Sequence, residues 1–506
     1  MATAAQVTRE IVSENIQRLS RARNVLGGFD EAGIKAHPSM FDAEVISFAH
    51  GEGVRRPHPL AVRACVRALL DTVESSLDNY LFLRSFPALE SRISADFVRQ
   101  GIDKRAASNV VIESGTTRLA CAWLHAISRP QDIFLTAPTF YHPLAKWCQL
   151  FGAALMCVPT QRGNQYKLTR NDLEEFLKTI RRAGLHQPRG LFVFNPTQTG
   201  AIYDRCELEA IADFILKNDL VVLEDRIFAR TEYDGRPSPA LGGVNGMADH
   251  VVSLDGGSKA FSLANIRIGW GCGPEKTMKA MADYSTATSA TIPHLAKAMA
   301  LAALEAPEAY LAGNRIECQQ RALFIRQFVH EINIRLELER LSTGSDAPWV
   351  EIEHMPAAGH SMLLSLNRLV GLPGWGGLPM RDSIDVTRYL LSSAKVAVSP
   401  GWSCGFSDCK VRMCFGCVGL EHTYPETRST EALYALAGLL PFLNFLSSEL
   451  RTALQFECES AEYNAMENEG FQKGRSLIRE ALLERMFCAL LHLGKRKENL
   501  ERQKGS

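Results

Sequence analysis

The chain has 506 residues, 46% of them hydrophobic and 22% charged, and its 56 basic residues balance 56 acidic ones to a formal net charge of zero. A chain longer than the roughly 250–300 residues that one core organises requires at least two domains. Neutrality excludes a nucleic-acid or anionic-membrane surface as the main partner, and no apolar run approaches the ~20 residues that span a bilayer.

The first residues, MATAAQVTREIVSENIQRLSRARNVL, carry Arg9, Glu10 and Glu14 at helical apolar spacing and hold no continuous apolar stretch. That pattern argues against a secretory leader, and its acids argue against a mitochondrial one. Thirteen cysteines, an odd number without the spacing of a small stapled scaffold, predict reduced thiols and a cytoplasmic protein.

Short apolar runs alternate with longer helical patterns from about residue 105 to about 300. Asn109–Ile112, Ile133–Ala137, Leu155–Pro159, Leu191–Phe194, Leu220–Glu224, Val251–Leu254 and Arg267–Cys272 read as buried strands. Thr117–Ile127, Asn171–Ala183 and Arg205–Lys217 read as helices between them. This alternation predicts an α/β fold: a mainly parallel sheet of seven strands with helices on both faces. Ligands of such sheets gather at the carboxyl ends of the strands.

A different pattern follows. A long helix over Gly313–Leu338 leads to strands at Ser361–Leu366, Val396–Val398 and Val411–Phe415, then a closing helix at Thr430–Leu446. These predict a smaller α+β domain over 313–446, joined by an arm from 1–60, beside a large domain at 61–312. In the last segment Leu477, Ile478, Leu482, Met486, Leu490 and Leu493 recur at helical spacing ahead of a basic tail. That predicts a helical extension over 447–506, docked on the body or on a partner. Cys404, Cys409, Cys414 and Cys417 include one CxxC pair, a spacing zinc sites use. Because Val411–Phe415 reads as a strand that points neighbouring side chains to opposite faces, buried small hydrophobes are expected and no metal is assigned.

The chemistry-bearing residues follow the strand patterns. Ser114-Gly115-Thr116-Thr117 opens a helix, where backbone N–H groups and hydroxyls suit an anion; an ordinary Ser/Thr cap is the plainer alternative. Phe140 and Tyr141 offer a face for a flat heterocycle, or simply core packing. Asn195 and Gln198, within Asn195-Pro196-Thr197-Gln198-Thr199-Gly200, place amides at a turn. Asp225 puts a carboxylate at a strand end, as a charge for a ring nitrogen or as a partner of Arg226. Lys259 sits eight residues before Arg267 in SLDGGSKAFSLANIRIGW. A half-desolvated lysine is an imine-forming nucleophile, and an arginine fork clamps a phosphate. Arg412, inside an apolar strand, needs an anionic partner, either a substrate carboxylate or a structural acid. A lysine nucleophile with a phosphate clamp is the minimum equipment for pyridoxal 5′-phosphate (PLP).

Taken in order, these motifs resemble the class I/II aminotransferase family of fold-type I PLP enzymes, over about residues 45–445. The resemblance implies that Lys259 carries PLP as an imine and that Gly115, Thr116, Thr117, Ser258 and Arg267 hold its phosphate. It implies that Asp225 faces the pyridine nitrogen and Phe140 or Tyr141 stacks on the ring. Gly51, in ISFAHGEG, would back the substrate carboxylate gripped by Arg412, and Tyr80 would reach the cofactor of a second subunit, making a homodimer. The implied reaction moves the amino group of an L-α-amino acid to a 2-oxo acid. The family pattern Asn-Pro-x-Asn-Pro-Thr-Gly is one residue shorter here, so Asn195 or Gln198 must do the asparagine's work. Phe228 stands where a tyrosine is usual, which removes a donor to the cofactor's phenolic oxygen and should raise the pKa of the imine. Those departures keep open a PLP enzyme of elimination, cyclisation, oxidation or decarboxylation; a second alternative is a non-catalytic PLP-binding protein working through its C-terminal helix.

Overall fold

The computed structural model describes residues 45–49, 51, 53, 55–70, 86–289, 291–338, 347–416 and 482–495. Tyr80, Cys417, Leu477, Ile478 and the helix expected at Thr430–Leu446 lie outside the described residues. In chain order the strands are β1 (Ile46–Ser47), β2 (Val110–Glu113), β3 (Ile133–Thr136), β4 (Ala154–Cys157), β5 (Gly190–Phe194), β6 (Val221–Asp225) and β7 (Val251–Gly256). Then come β8 (Gly269–Cys272), β9 (Glu351–Ile352), β10 (Ser361–Ser365), β11 (Val396–Ala397), β12 (Ser399–Pro400) and β13 (Lys410–Cys414).

Seven strands form one sheet in the order β2-β8-β7-β6-β5-β3-β4. The ladders from β4 through β7 are parallel, and β8 runs antiparallel to both β7 and β2. The strands are apolar on both sides because both sides are covered. Ile133, Leu135, Leu191 and Val193 pack with Leu173, Leu177, Leu208 and Ile211 on one face. Phe134 and Phe192, one residue out of step, pack with Trp123, Leu119 and Met281 on the other. The period of two along each strand thus separates two helical layers.

Helix starts on the first face are closed by their own residues. Thr169 and Asp172 form a reciprocal capping box at helix Arg170–Arg182, and Asp204 and Glu207 form one at Arg205–Asn218. Helix Thr116–Ile127 differs: its N-cap is Gly115 at φ 93°, and no side chain caps it. Its first N–H groups are left for another acceptor.

A second, antiparallel sheet has the order β12-β13-β10-β9, and β1 pairs in parallel with β11 beside it. The 31-residue helix Glu308–Leu338 joins the two regions, about 46 Å at 1.5 Å per residue. Leu311 packs in the core beside β8, whereas Phe328, Ile332 and Leu336 pack in the core of the second sheet. Arg162, after β4, ties the regions by pairing with Glu351 at 2.7 Å and Glu353 at 3.3 Å. The helix at 482–495 completes the second core: Leu482, Met486, Leu490 and Leu493 are buried against it, and Tyr389 Oη donates to the Ala489 carbonyl at 2.7 Å. It docks on the body of its own chain.

Cys404, Cys409 and Cys414 are buried free thiols, each interior. Among the described residues, no group of three or more His, Cys, Asp or Glu is arranged to hold a metal ion.

Candidate active site

The motifs converge at the carboxyl ends of the parallel strands. Asp225 ends β6, Gly256-Gly257-Ser258-Lys259 leaves β7, Asn195 follows β5, and Ser114-Gly115 follows β2. Arg267 stands just before β8 in a left-handed conformation, φ 57° and ψ 62°. Its Nη2 lies 2.5 Å from where a Cβ on Gly115 would be, so the guanidinium rests against the bare glycine. Gly269 of β8 abuts the same helix start, since a Cβ there would meet Thr116 N at 2.6 Å. Bare glycines, an uncapped helix terminus and an exposed guanidinium therefore share one spot, an arrangement suited to a phosphate. Ser258 and Lys259 are half-buried beside it in the chain.

Asp225 lines a cavity with Thr116, Ala120, Tyr141, Leu144, Trp147, Phe192, Phe194 and Leu223. In these apolar surroundings burial pushes its carboxyl up to about 7, although the Ile227 N–H, which donates to Oδ1 at 2.9 Å, and Lys259 oppose the shift. Arg226 is not its partner. That guanidinium points into the interior, 3.3 Å from Glu224, and donates to the carbonyls of Ser238 and Pro239. Asp225 is thus a carboxylate that gains from a cationic neighbour in the cavity. Of the two aromatic candidates, Tyr141 lines this cavity, whereas Phe140 is buried with its ring near Gly405.

The amide candidates separate too. Asn195 is fully buried; its Oδ1 accepts from Tyr203 N at 3.0 Å and its Nδ2 donates to the Pro239 carbonyl at 2.8 Å. Those bonds hold the turn after β5 and occupy the side chain. Gln198 is also buried, and its amide makes no hydrogen bond to another described residue.

Lys259 Nζ donates to the Gly51 carbonyl and stands 6.0 Å from the centre of the Phe228 ring. Arg412 lies in the middle of β13, opposite Leu363 of β10 and Ser399 of β12. It is buried, Nη2 reaches Ser399 Oγ at 3.5 Å, and Nε has no hydrogen-bond partner. No carboxylate among the described residues pairs with it, so the structural-acid alternative has no counterpart here. Gly51 has a further partner that the sequence reading missed, and the charges of Lys259 and Arg412 both bear on it. His360 Nε2 contacts the Gly51 carbonyl at 2.9 Å, and its ring meets Phe228 edge-on at 5.4 Å. Burial, then the Lys259 charge, lowers its pKa to about 3, so it is neutral. A histidine one residue before a strand carries no spacing signal that would have singled it out.

A phosphate cradle, a carboxylate in an apolar cavity and a lysine at the strand ends define an enzyme of the PLP-dependent transferase fold, and the residues present fit that cofactor. Residues 44–424 match the family described as aminotransferase class I and II, and the chain belongs to it. It is an aminotransferase, and its cofactor is PLP. Relatives include a probable aspartate/prephenate aminotransferase of Rickettsia bellii, 23% identical over 67% of this chain and 80% of that protein. The arginine–pyruvate transaminase AruH of Pseudomonas aeruginosa is 26% identical over 48% of this chain and 60% of its own. The aspartate aminotransferase from Rhizobium meliloti shares the fold with a TM-score of 0.65 at 18% identity, over 80% of this chain and 93% of that one.

Proposed function

We propose that the protein transfers the amino group of an L-α-amino acid to a 2-oxo acid, with Lys259 bonding the cofactor's aldehyde carbon. The observation that carries this reading is Arg412: a buried guanidinium with an unpartnered Nε and no described acid beside it, whose charge, like that of Lys259, reaches His360. A substrate α-carboxylate matches that fork. When bound, PLP supplies an electron sink that stabilises charge developing at the substrate Cα. Gly115, Thr116, Thr117, Ser258 and Arg267 hold its phosphate, and Asp225 keeps its pyridine nitrogen protonated. Tyr141 stacks on the ring, and Gln198 takes the role for which Asn195 is already engaged. Arg412 and the Gly51 peptide orient the substrate. With PLP held there, Lys259 Nζ would serve as the general base for the proton at the substrate Cα and as the acid that returns it.

The neutral composition and the free thiols of every described cysteine support a cytoplasmic enzyme. The resemblance through Tyr80 supports a homodimer.

The test is an absorbance spectrum of PLP-loaded protein before and after adding L-amino acids without a 2-oxo acid, the panel to include aspartate, arginine and an aromatic amino acid. Conversion to a pyridoxamine-type spectrum with one of them, and its loss in Lys259→Ala, is the expected result. Turnover without pyridoxamine would replace transamination by elimination or decarboxylation, an outcome that the engaged Asn195 and the missing hydroxyl at Phe228 make worth reading for. Protein that takes up no PLP would end the reading.

A further inference from the structure

Among the described residues, few groups hold the Gly51 peptide. A Cβ built at Gly51 would meet no described residue within 4 Å. Among the described residues, its carbonyl accepts two hydrogen bonds, from Lys259 Nζ and from His360 Nε2 at 2.9 Å. One of these donors has other work. On the reading proposed above, Lys259 is committed to the cofactor and then to the substrate proton, and it cannot also tether Gly51.

His360 is placed to do so. Its own backbone is pinned to both sides of the site. Its carbonyl accepts from Phe415 N at 2.8 Å, next to the strand that carries Arg412. The preceding residue, Gly359, donates its N–H to Thr231 Oγ1 at 3.0 Å and accepts from Tyr233 Oη at 2.8 Å, both in the segment after Asp225. Gly359 also has φ 71° and lies against Phe228, where a Cβ would come within 3.1 Å of the ring. The imidazole is buried, packed edge-on against Phe228, and neutral. A neutral ring has a single N–H, and the acceptor opposite Nε2 assigns the proton to that nitrogen.

We propose that His360 is a positioning residue for the substrate carboxylate: its Nε2–H holds the Gly51 peptide in register with Arg412 while Lys259 is engaged in chemistry. The inference rests on the function proposed above. It assigns His360 no part in proton transfer. What it supplies is a rigid anchor for a peptide whose other described tether is Lys259, the kind of support that keeps a binding group within reach of its ligand.

The experiment uses PLP-loaded protein and propionate, a carboxylate with no amine to react, titrated by the absorbance of the bound cofactor. Four forms are compared: the parent chain, His360→Ala, His360→Gln and Arg412→Ala. Losing one positioning hydrogen bond should weaken propionate about tenfold in His360→Ala. Glutamine, whose Nε2–H reaches a similar point, should restore most of that affinity, and the cofactor spectrum without propionate should be the same in both variants. With any amino acid the parent converts, the loss should fall on KM more than on kcat. A merely structural histidine would instead change PLP retention and melting temperature alike in the alanine and glutamine variants. Parent-like propionate affinity in His360→Ala, or equal loss in both variants, would overturn the inference. If His360→Ala does not fold, parent-like binding by His360→Gln together with weaker binding by His360→Leu supports it, and equal binding by those two overturns it. A parent chain that loads PLP but ignores propionate would instead undo the role given to Arg412.

Discussion

At the scale of single residues, the site gathers a half-buried lysine, a carboxylate in an apolar cavity and a buried guanidinium. Lys259→Ala should abolish the covalent cofactor band and lower kcat by at least about 10²–10⁴-fold, the usual worth of a positioned acid–base group. Asp225 makes a prediction about pH. Burial raises its carboxyl to about 7, so the folded, cofactor-free protein binds this proton more tightly than the unfolded chain does. Its contribution to stability is therefore full below about pH 4 and is lost as the pH rises through about 7. Asp225→Asn removes that dependence. The melting temperature of the variant, measured against the parent without cofactor, should gain on it steadily from about pH 5 to about pH 8. A constant difference across that range would show that Asp225 is already ionised at acid pH. His360 was illegible beforehand for the same reason that Arg412 stood out. A buried arginine in an apolar strand advertises a missing anion, whereas one neutral histidine bonded to a distant carbonyl advertises nothing.

At the scale of elements, the proposed phosphate cradle depends on what the helix Thr116–Ile127 lacks. Helices Arg170–Arg182 and Arg205–Asn218 begin in capping boxes, but this one begins at a glycine with positive φ and no side-chain cap. Gly115→Ala should be costly twice over. The left-handed backbone costs an L-residue about 1–2 kcal/mol, and the added Cβ would lie 2.5 Å from Arg267 Nη2. PLP retention under dialysis should fall about tenfold or more while far-ultraviolet dichroism stays parent-like. Retention equal to the parent would show that Arg267 can move aside without losing the phosphate. The strands themselves were legible, because two-sided burial writes itself as continuous apolar runs. Their ends were less so. Arg267 and Ile268 read as strand continue the apolar run, yet β8 begins only at Gly269, since Arg267 turns left-handed to face Gly115.

At the scale of the whole molecule, two cores face each other across the site, and the second is closed by residues from the far end of the chain. The helix at 482–495 lies beyond the segment that matches the family, yet Leu482, Leu490 and Leu493 are fully buried in the core around β10 and β13. Leu490→Ala should destabilise the protein by about 2–5 kcal/mol, the range for emptying a buried leucine site. Denaturant unfolding followed at the second core would measure it. A loss under about 1 kcal/mol would mean that the helix is only laid on the surface. Removing the chain from 482 onward is then a test of folding. The loss would reach the site as well, because β13 carries Arg412 and shares this core.

The amino-acid sequence by itself determined the alternating α/β pattern, the α+β character of the second region and the identities of the groups that meet at the strand ends. Those are written in local periodicity and in the rarity of charged residues within apolar runs. The tertiary structure decided everything that depends on which distant groups meet. It engaged Asn195 with Tyr203 and Pro239, left the Gln198 side-chain amide without a partner among the described residues, and turned Tyr141 rather than Phe140 to the cavity. It seated the terminal helix on its own chain and brought His360 to Gly51 across 309 positions. A side chain's hydrogen-bond partners across such separations are set by how whole elements pack, and no local spacing records them.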